Sequence, residues 1–387
     1  MQTQKSTELS FAQIEIFFWT RNISYIMKIP AVKLILPDEV IEQVSKVLAS
    51  GNWIDGKMVK KLEKEWADYC GVKYCRAVSS GTSGLLSVLS SLDLKAGDEV
   101  IVPSFSFIAT ANSVLFTEAK PVFADIDPTT FNLNPDSVLE KITKKTKAIM
   151  PVHLFGLCAE MDRLHEICED MDLFLIEDAC QAHGAEYRSE KAGSLGLAGV
   201  FSLYPTKNMY CGGEGGLITT NDEDFYEKIC EFMNHGQKAK YQHESLGYNF
   251  RLQETNAVVA RYALENLDAW NAQRQENAAF YNKSFQDIEG ISNPIAPEYC
   301  KHVYHQYTIQ VDNRDTLVGK FQENNIGFGI HYNTPIHLQP YYQSLNYQDK
   351  LPVTEECAEK VISLPNHPFM IEEEKEEVAS VVQSAFE

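Results

Sequence analysis

The sequence predicts an α/β protein: a mostly parallel, seven-stranded sheet covered by helices, followed by a smaller C-terminal α+β domain. Three observations lead there. Short β-rich runs at Tyr74 to Val78, Glu99 to Val102, Pro121 to Ala124, Ala148 to Val152, Leu173 to Ile176, Val200 to Leu203 and Leu217 to Thr219 alternate with helical stretches, the pattern of strand–helix–strand units. Several of these runs are apolar without period-two alternation, as strands buried on both faces are. Beyond a helical stretch from Thr255 to about Phe285 the pattern changes: Tyr304 to Val311 reads as a strand, and Asp315 to Asn324 and Glu355 to Ile362 read as helices.

Ahead of the sheet, Pro37-Asp38-Glu39 opens one helix with an acidic first turn, and Val59 to Trp66 runs as another. A chain of 387 residues exceeds what one hydrophobic core organises. We therefore expect a large domain over residues 27–260, including the N-terminal helices, and a small one over 261–387. Residues 1–26 carry an apolar Phe17-Phe18-Trp19 but are broken by Glu8 and Glu15. They read as a disordered or non-native extension rather than a secretory signal.

A formal net charge of -20 disfavours nucleic acid. The one basic cluster, Lys141, Lys144, Lys145 and Lys147, reads as a solvated helix end. No apolar run approaches the ~20 residues that span a bilayer, so no membrane association is expected. Nine cysteines without a C-x-x-C pair fit reduced thiols in the cytoplasm rather than a disulfide framework or a zinc site, and no metal is expected.

Three segments carry candidate chemistry. Leu173 to Asp178 is a buried strand delivering a carboxylate at its C-terminal end, where open α/β sheets place ligands; a helix N-cap is the plainer alternative for Asp178. Gly199 to Asn208 is a strand running into a loop that holds Lys207, a residue type more often found on the surface. Ser79-Ser80-Gly81-Thr82-Ser83-Gly84-Leu85 begins a helix whose open N–H groups suit an anion, although a simple capping box would look the same. Neither a P-loop nor a G-x-G-x-x-G fingerprint is present. Together, an amine for a Schiff base, a carboxylate for a pyridinium nitrogen and a helix start for a phosphate meet the requirements of pyridoxal 5'-phosphate.

In order along the chain, Ser80 to Leu85, Val102 to Asn112, Glu177 to Ala185, Phe201 to Asn208 and Gly247 to Leu252 resemble the motifs of the DegT/DnrJ/EryC1/StrS aminotransferases. The likeness extends over about residues 28–387, through His302 to His305 and His331 to Pro340. It implies the aspartate-aminotransferase-like fold type I. It also implies Lys207 as the covalent cofactor anchor and proton shuttle, and Asp178 as partner of the ring nitrogen. Phe107 resembles the residue that stacks on the ring, Gln181 the contact to the ring oxygen, and Thr82, Ser83 and Ser202 the phosphate ligands. Asn249 resembles an asparagine reaching the phosphate from a second subunit, with Arg251 beside it as a contact for the amino donor, which implies a homodimer with a shared site. Tyr332 and His337 are candidates to line the substrate cleft, whereas His183 is expected to pack structurally.

The resemblance implies amino transfer from glutamate to a nucleotide-linked keto sugar. We expect a 4-keto-6-deoxy hexose, because Ser83-Gly84 lacks an aspartate found in several relatives acting at C-3. A cyclitol ketone as acceptor, and a non-catalytic regulatory protein on the same fold, are the alternatives. Relatives that dehydrate replace the lysine with histidine; this chain keeps Lys207. It departs from many relatives at Tyr210-Cys211, where they carry small residues.

Overall fold

The computed structural model describes residues 27–387, so the expectation for residues 1–26 lies outside the described residues. Helix α1 (Asp38–Ser50) has Asp38 and Glu39 in its first turn and ends on Gly51 at φ 73, the left-handed position that glycine fills without strain. Helix α2 (Lys57–Cys70) starts beneath the buried Glu254 carboxylate, which accepts the N–H groups of Gly56, Met58 and Val59 at 2.9 Å each.

The central sheet holds β1 (Tyr74–Val78), β2 (Glu99–Pro103), β3 (Lys120–Ala124), β4 (Thr146–Ile149), β5 (Phe174–Asp178), β6 (Ala198–Ser202) and β7 (Gly216–Thr220). Their spatial order is β1-β7-β6-β5-β4-β2-β3. Strand β7 runs antiparallel to both neighbours, and the other pairs are parallel. The seven expected runs are these strands, with shifted ends. The fourth stops at Ile149 rather than Val152; Val152 makes only an isolated bridge to Asp178, since Pro151 has no N–H to continue a ladder.

Helices α3 (Gly81–Ser90), α4 (Ala109–Leu115), α5 (Pro135–Lys141) and α6 (Met161–Met171) connect the first five strands, and α7 (Glu223–Phe232) follows β7. One face of the sheet buries Leu62, Trp66, Leu164, Phe201 and Leu267; the other buries Leu85, Val88, Val114, Val200 and Ile218. The lysine cluster sits where α5 ends before β4, with Lys144 and Lys145 exposed and Lys141 paired to Asp349 at 3.2 Å.

Helix α8 (Glu254–Phe285) runs through the expected boundary at 260/261. Its first half packs into the large-sheet core through Ala257, Ala263 and Leu267. Its last turns pack into a separate core through Ala278, Tyr281 and Phe285. That core also covers an antiparallel sheet of β8 (Ile291–Ser292), β9 (Tyr307–Val311) and β10 (Val361–Leu364). Around it lie α9 (Arg314–Glu323), α11 (Pro352–Lys360) and α12 (Glu372–Ser384), whereas α10 (Pro340–Ser344) returns to the large sheet, where Tyr342 packs on Phe123. Two expectations are corrected. The strand starts at Tyr307 rather than Tyr304, and the helix expected through Ile362 ends at Lys360. Val361 and Ile362 instead pair with Gln310 and Ile309, because β-branched side chains fit a pleated, buried strand.

Candidate active site

The parallel strands β4, β5 and β6 end on one edge of the sheet, and their C-terminal ends gather the candidate residues. Asp178 is the last residue of β5 and 4% exposed. Its N–H and C=O are fixed to Pro151 O and His153 N, both at 3.0 Å. One carboxylate oxygen accepts the Cys180 N–H at 3.2 Å and the other the Thr110 hydroxyl at 2.8 Å. The Thr110 oxygen lies 2.9 Å from Ser106 Oγ. No helix follows Asp178, so it is not an N-cap. Its neighbour Glu177 faces the opposite way, wholly buried, and accepts from His153 Nε2 at 2.9 Å and from the N–H groups of Gly193, Leu195 and Gly196 at 2.6, 2.8 and 2.8 Å.

Lys207 lies in the loop after β6, its N–H bonded to Tyr204 O at 2.9 Å. Burial pushes its ammonium below the ordinary lysine value, opposed by Cys180 and the Asp178 carboxylate. Three histidines, His183 and His305 buried and His331 half-buried, feel the Lys207 charge. Burial and then Lys207 hold His183 down to about 3 and His331 to about 4, and the same two causes hold His305 well below its usual value. Lys207, Asp178, Cys180, His183, His305 and His331 therefore form one cluster. His183 packs between Trp66 and Phe201, at 5.9 and 5.3 Å between centroids.

Helix α3 brings its N-terminus to the same place. A Cβ on Gly81 would stand 2.9 Å from both Cys180 Sγ and the Ser202 Cβ, so glycine is what lets the helix start approach the ends of β5 and β6. Among the described residues the Gly81 and Thr82 amides have no acceptor, and Thr82 is exposed. Ser83 behaves differently. Its hydroxyl turns back onto the helix start, accepting from Ser80 N at 2.9 Å and donating to Ser80 O at 2.8 Å, and with Ser80 it forms a capping box.

Phe107 is 57% exposed, outside the hydrophobic core; it lies 6.5 Å from the Tyr332 ring. Gln181 Nε2 donates to Tyr332 Oη at 3.1 Å while its Oε1 accepts from Phe155 N at 2.9 Å, so those two expected residues meet. His337 does not reach the cleft. Its ring is 0% exposed, with Nδ1 2.6 Å from Ser104 Oγ and Nε2 3.3 Å from Glu355 Oε1; it ties the segment after residue 331 to the end of β2. Asn249 and Arg251 sit on a surface loop, and among the described residues neither side chain bonds to the Lys207 cluster. Tyr210 turns away, stacked on Trp270 at 5.5 Å with its hydroxyl donating to Ile35 O at 2.8 Å. Sequence reasoning missed Thr110, His305 and His331. All three lie inside quoted motifs, yet only the packing shows which of their neighbours turn inward.

An aldehyde-bearing aromatic phosphate would meet a lone desolvated amine, a buried carboxylate, an exposed phenyl ring and two free helix-start amides here. The sequence model of the DegT/DnrJ/EryC1/StrS aminotransferase family matches residues 35–383. The chain belongs to this family. It is a pyridoxal-phosphate-dependent aminotransferase of fold type I. Among its relatives is the "Pleiotropic regulatory protein" of Geobacillus stearothermophilus, 40% identical over 90% of this chain and 94% of that one. The UDP-N-acetyl-3-dehydro-alpha-D-glucosamine 3-aminotransferase of Acidithiobacillus ferrooxidans is 38% identical over 90% and 94%. The structure of S. venezuelae DesV in complex with a ketimine intermediate superposes with a TM-score of 0.88 at 36% identity, covering 90% of this chain and 95% of that one. No described helix of this aminotransferase is long and apolar enough to cross a membrane, no described group of His, Cys, Asp and Glu could hold a metal, and its nine cysteines are free thiols.

Proposed function

We propose that this aminotransferase moves the amino group of glutamate to a nucleotide-linked keto sugar in amino-sugar biosynthesis, with Lys207 and Asp178 as its catalytic residues. The observation that carries the reading is the convergence of the Lys207 amine, the Asp178 carboxylate and the open start of α3 at one edge of the sheet. Bound pyridoxal phosphate supplies an electron sink that makes the proton on the substrate carbon acidic.

The chain's own residues supply the rest. Lys207 Nζ anchors the cofactor and, once released, takes and returns a proton at the substrate carbon; burial lowers its ammonium value, which eases loss of the proton it must shed to act as a base. Asp178, held by Thr110 and Cys180 N–H, presents a negative charge to the ring nitrogen. The Gly81 and Thr82 amides, with Ser202 nearby, take the phosphate at the positive end of α3. Phe107 covers one ring face, and Gln181, braced by Phe155 N and Tyr332, faces the ring oxygen. Asn249 and Arg251 serve a second subunit's site in a homodimer, consistent with their place on a surface loop and with neither side chain bonding this chain's own cluster among the described residues. The free thiols suit a reducing cytoplasm.

For the sugar carbon, the relatives' names favour C-3. The Acidithiobacillus enzyme is named a 3-aminotransferase, and relatives from Streptomyces venezuelae and Aneurinibacillus thermoaerophilus are named for 3-amino sugars. The argument for C-4 rests on the absence of an aspartate at Ser83-Gly84, where the Ser83 hydroxyl is taken up in the helix cap. The test is incubation with glutamate and a panel of nucleotide-linked 3-keto and 4-keto sugars and a cyclitol ketone, reading the aminated product by mass and NMR. Lys207→Ala should lose both the visible absorbance of the bound cofactor and turnover. Turnover retained in that variant would overturn the assignment of Lys207, and amination of the cyclitol alone would overturn the sugar.

A further inference from the structure

Asp178 ends strand β5 and Lys207 stands in the loop after β6, and the fold fixes them by different means. The sheet holds Asp178: it is in register with Val200 of β6, and its backbone bonds to Pro151 and His153. Lys207 has no strand partner. Within its loop the Lys207 N–H bonds Tyr204 O at 2.9 Å, and Cys211 N bonds Leu203 O at 3.0 Å. These bonds shape the loop without locating it against the rest of the chain.

Tyr210, stacked on Trp270 and bonded to Ile35 O, anchors its far end, and the residue after Lys207 locates the lysine itself. Asn208 is 2% exposed. Its Nδ2 donates to Asn271 Oδ1 at 2.8 Å and to Val303 O at 3.1 Å, and its Oδ1 lies 3.3 Å from His305 Nδ1. Asn271, on α8 and equally buried, donates its own Nδ2 to His183 O at 2.8 Å. His183 belongs to the loop that follows Asp178. Room for that contact comes from Gly184 at φ +83, where a Cβ would fall 2.9 Å from Asn271 Nδ2 and 2.5 Å from the Tyr69 hydroxyl.

We propose that Asn271 is a positioning residue: one carboxamide on α8 that sets the loop carrying Lys207 and the loop following Asp178 at a fixed separation, and through Asn208 ties both to the 303–305 segment. A carboxamide suits this task because it offers a donor and an acceptor side by side, accepting from Asn208 while donating to His183. An apolar residue would leave the His183 carbonyl unpaired and take from the Asn208 amide one of its two acceptors. The catalytic consequence follows from geometry, since a misplacement of about 1 Å between reacting groups can cost roughly 100-fold in rate. Tyr69 and Gly184 matter only as the walls that aim the Asn271 amide.

This inference rests on Lys207 being the cofactor's amine, and the experiment separates the two. Wild-type apoprotein, Asn271→Ala and Asn208→Ala are compared in three measurements. These are urea unfolding, the rate at which apoprotein takes up pyridoxal phosphate as read by the rise in visible absorbance, and the pH at which that absorbance titrates. Both variants should take up the cofactor at least about tenfold more slowly and titrate at a shifted pH, under conditions where unfolding curves show them folded. The double variant should do no worse than the weaker single, because both remove the same link. Folded variants with wild-type uptake and an unmoved titration would overturn the brace while leaving Lys207 in place. If Asn271→Ala does not fold, Asn208→Ala decides the matter by the same readings. Wild-type protein that gains no visible absorbance sinks the Lys207 assignment and the brace together.

Discussion

The histidine packed between Trp66 and Phe201 makes acid stability a direct test of how dry the floor of the site is. His183 is 0% exposed, and burial followed by the Lys207 charge depresses its folded value to about 3. In the unfolded chain a histidine takes up its proton below about 6.5. Between those values the unfolded state binds a proton that the folded state refuses, so stability falls as pH falls. The contribution is fully present above pH ~6.5 and is lost progressively toward the folded value of about 3. From pH 7 to pH 5 this one residue accounts for about 2 kcal/mol. His183→Gln removes the titration while keeping a polar side chain of similar length. Its packing penalty is the same at both pH values, so it cancels in the comparison. Urea unfolding of wild type and variant at pH 7 and pH 5 is the assay. The variant should lose about 2 kcal/mol less on acidification than wild type does. Equal losses in the two proteins would refute a neutral, desolvated His183.

Glu177→Ala strips the acceptor from His153 and from the Gly193, Leu195 and Gly196 amides. Leaving such buried donors unpaired costs about 1–3 kcal/mol for each, readable as a drop in urea-unfolding free energy; a total loss under about 1 kcal/mol would mean that water replaces the carboxylate. If Asn249 works in its partner's site, mixing inactive Lys207→Ala and Asn249→Ala subunits by co-refolding should restore roughly one quarter of wild-type turnover. In that mixture half the dimers are hybrids, and each hybrid has one intact site of two. Zero recovery with confirmed hybrid dimers would place Asn249 within its own chain's site or outside catalysis.

The seven strands were legible because burial on both faces leaves an unmistakable mark, a β-branched apolar run such as Glu99 to Val102. The strand-end rule then pointed to Asp178, and the family motifs to Lys207. Side-chain direction is where sequence reasoning failed. Ser83 and Thr82 are adjacent small hydroxyl residues at one helix start, yet the helical turn aims Ser83 at Ser80 and leaves Thr82 exposed. Residue type carries no trace of that difference. His337 likewise shares a motif with Tyr332, but a short 3-10 turn at Ile336–Leu338 buries its ring against Ser104. Thr110, His305, Asn208 and Asn271 show the converse. Each is an ordinary polar residue in the sequence, and each gains meaning only when a partner distant along the chain closes the bond. Asn208 and Asn271 meet across 63 positions, a separation no local pattern encodes. Chemistry that depends on a lone amine and a lone carboxylate can therefore be read from motif and strand end. The separation between them is a property of the packed polar network beneath, and it is there that substitutions outside the motifs should alter catalysis.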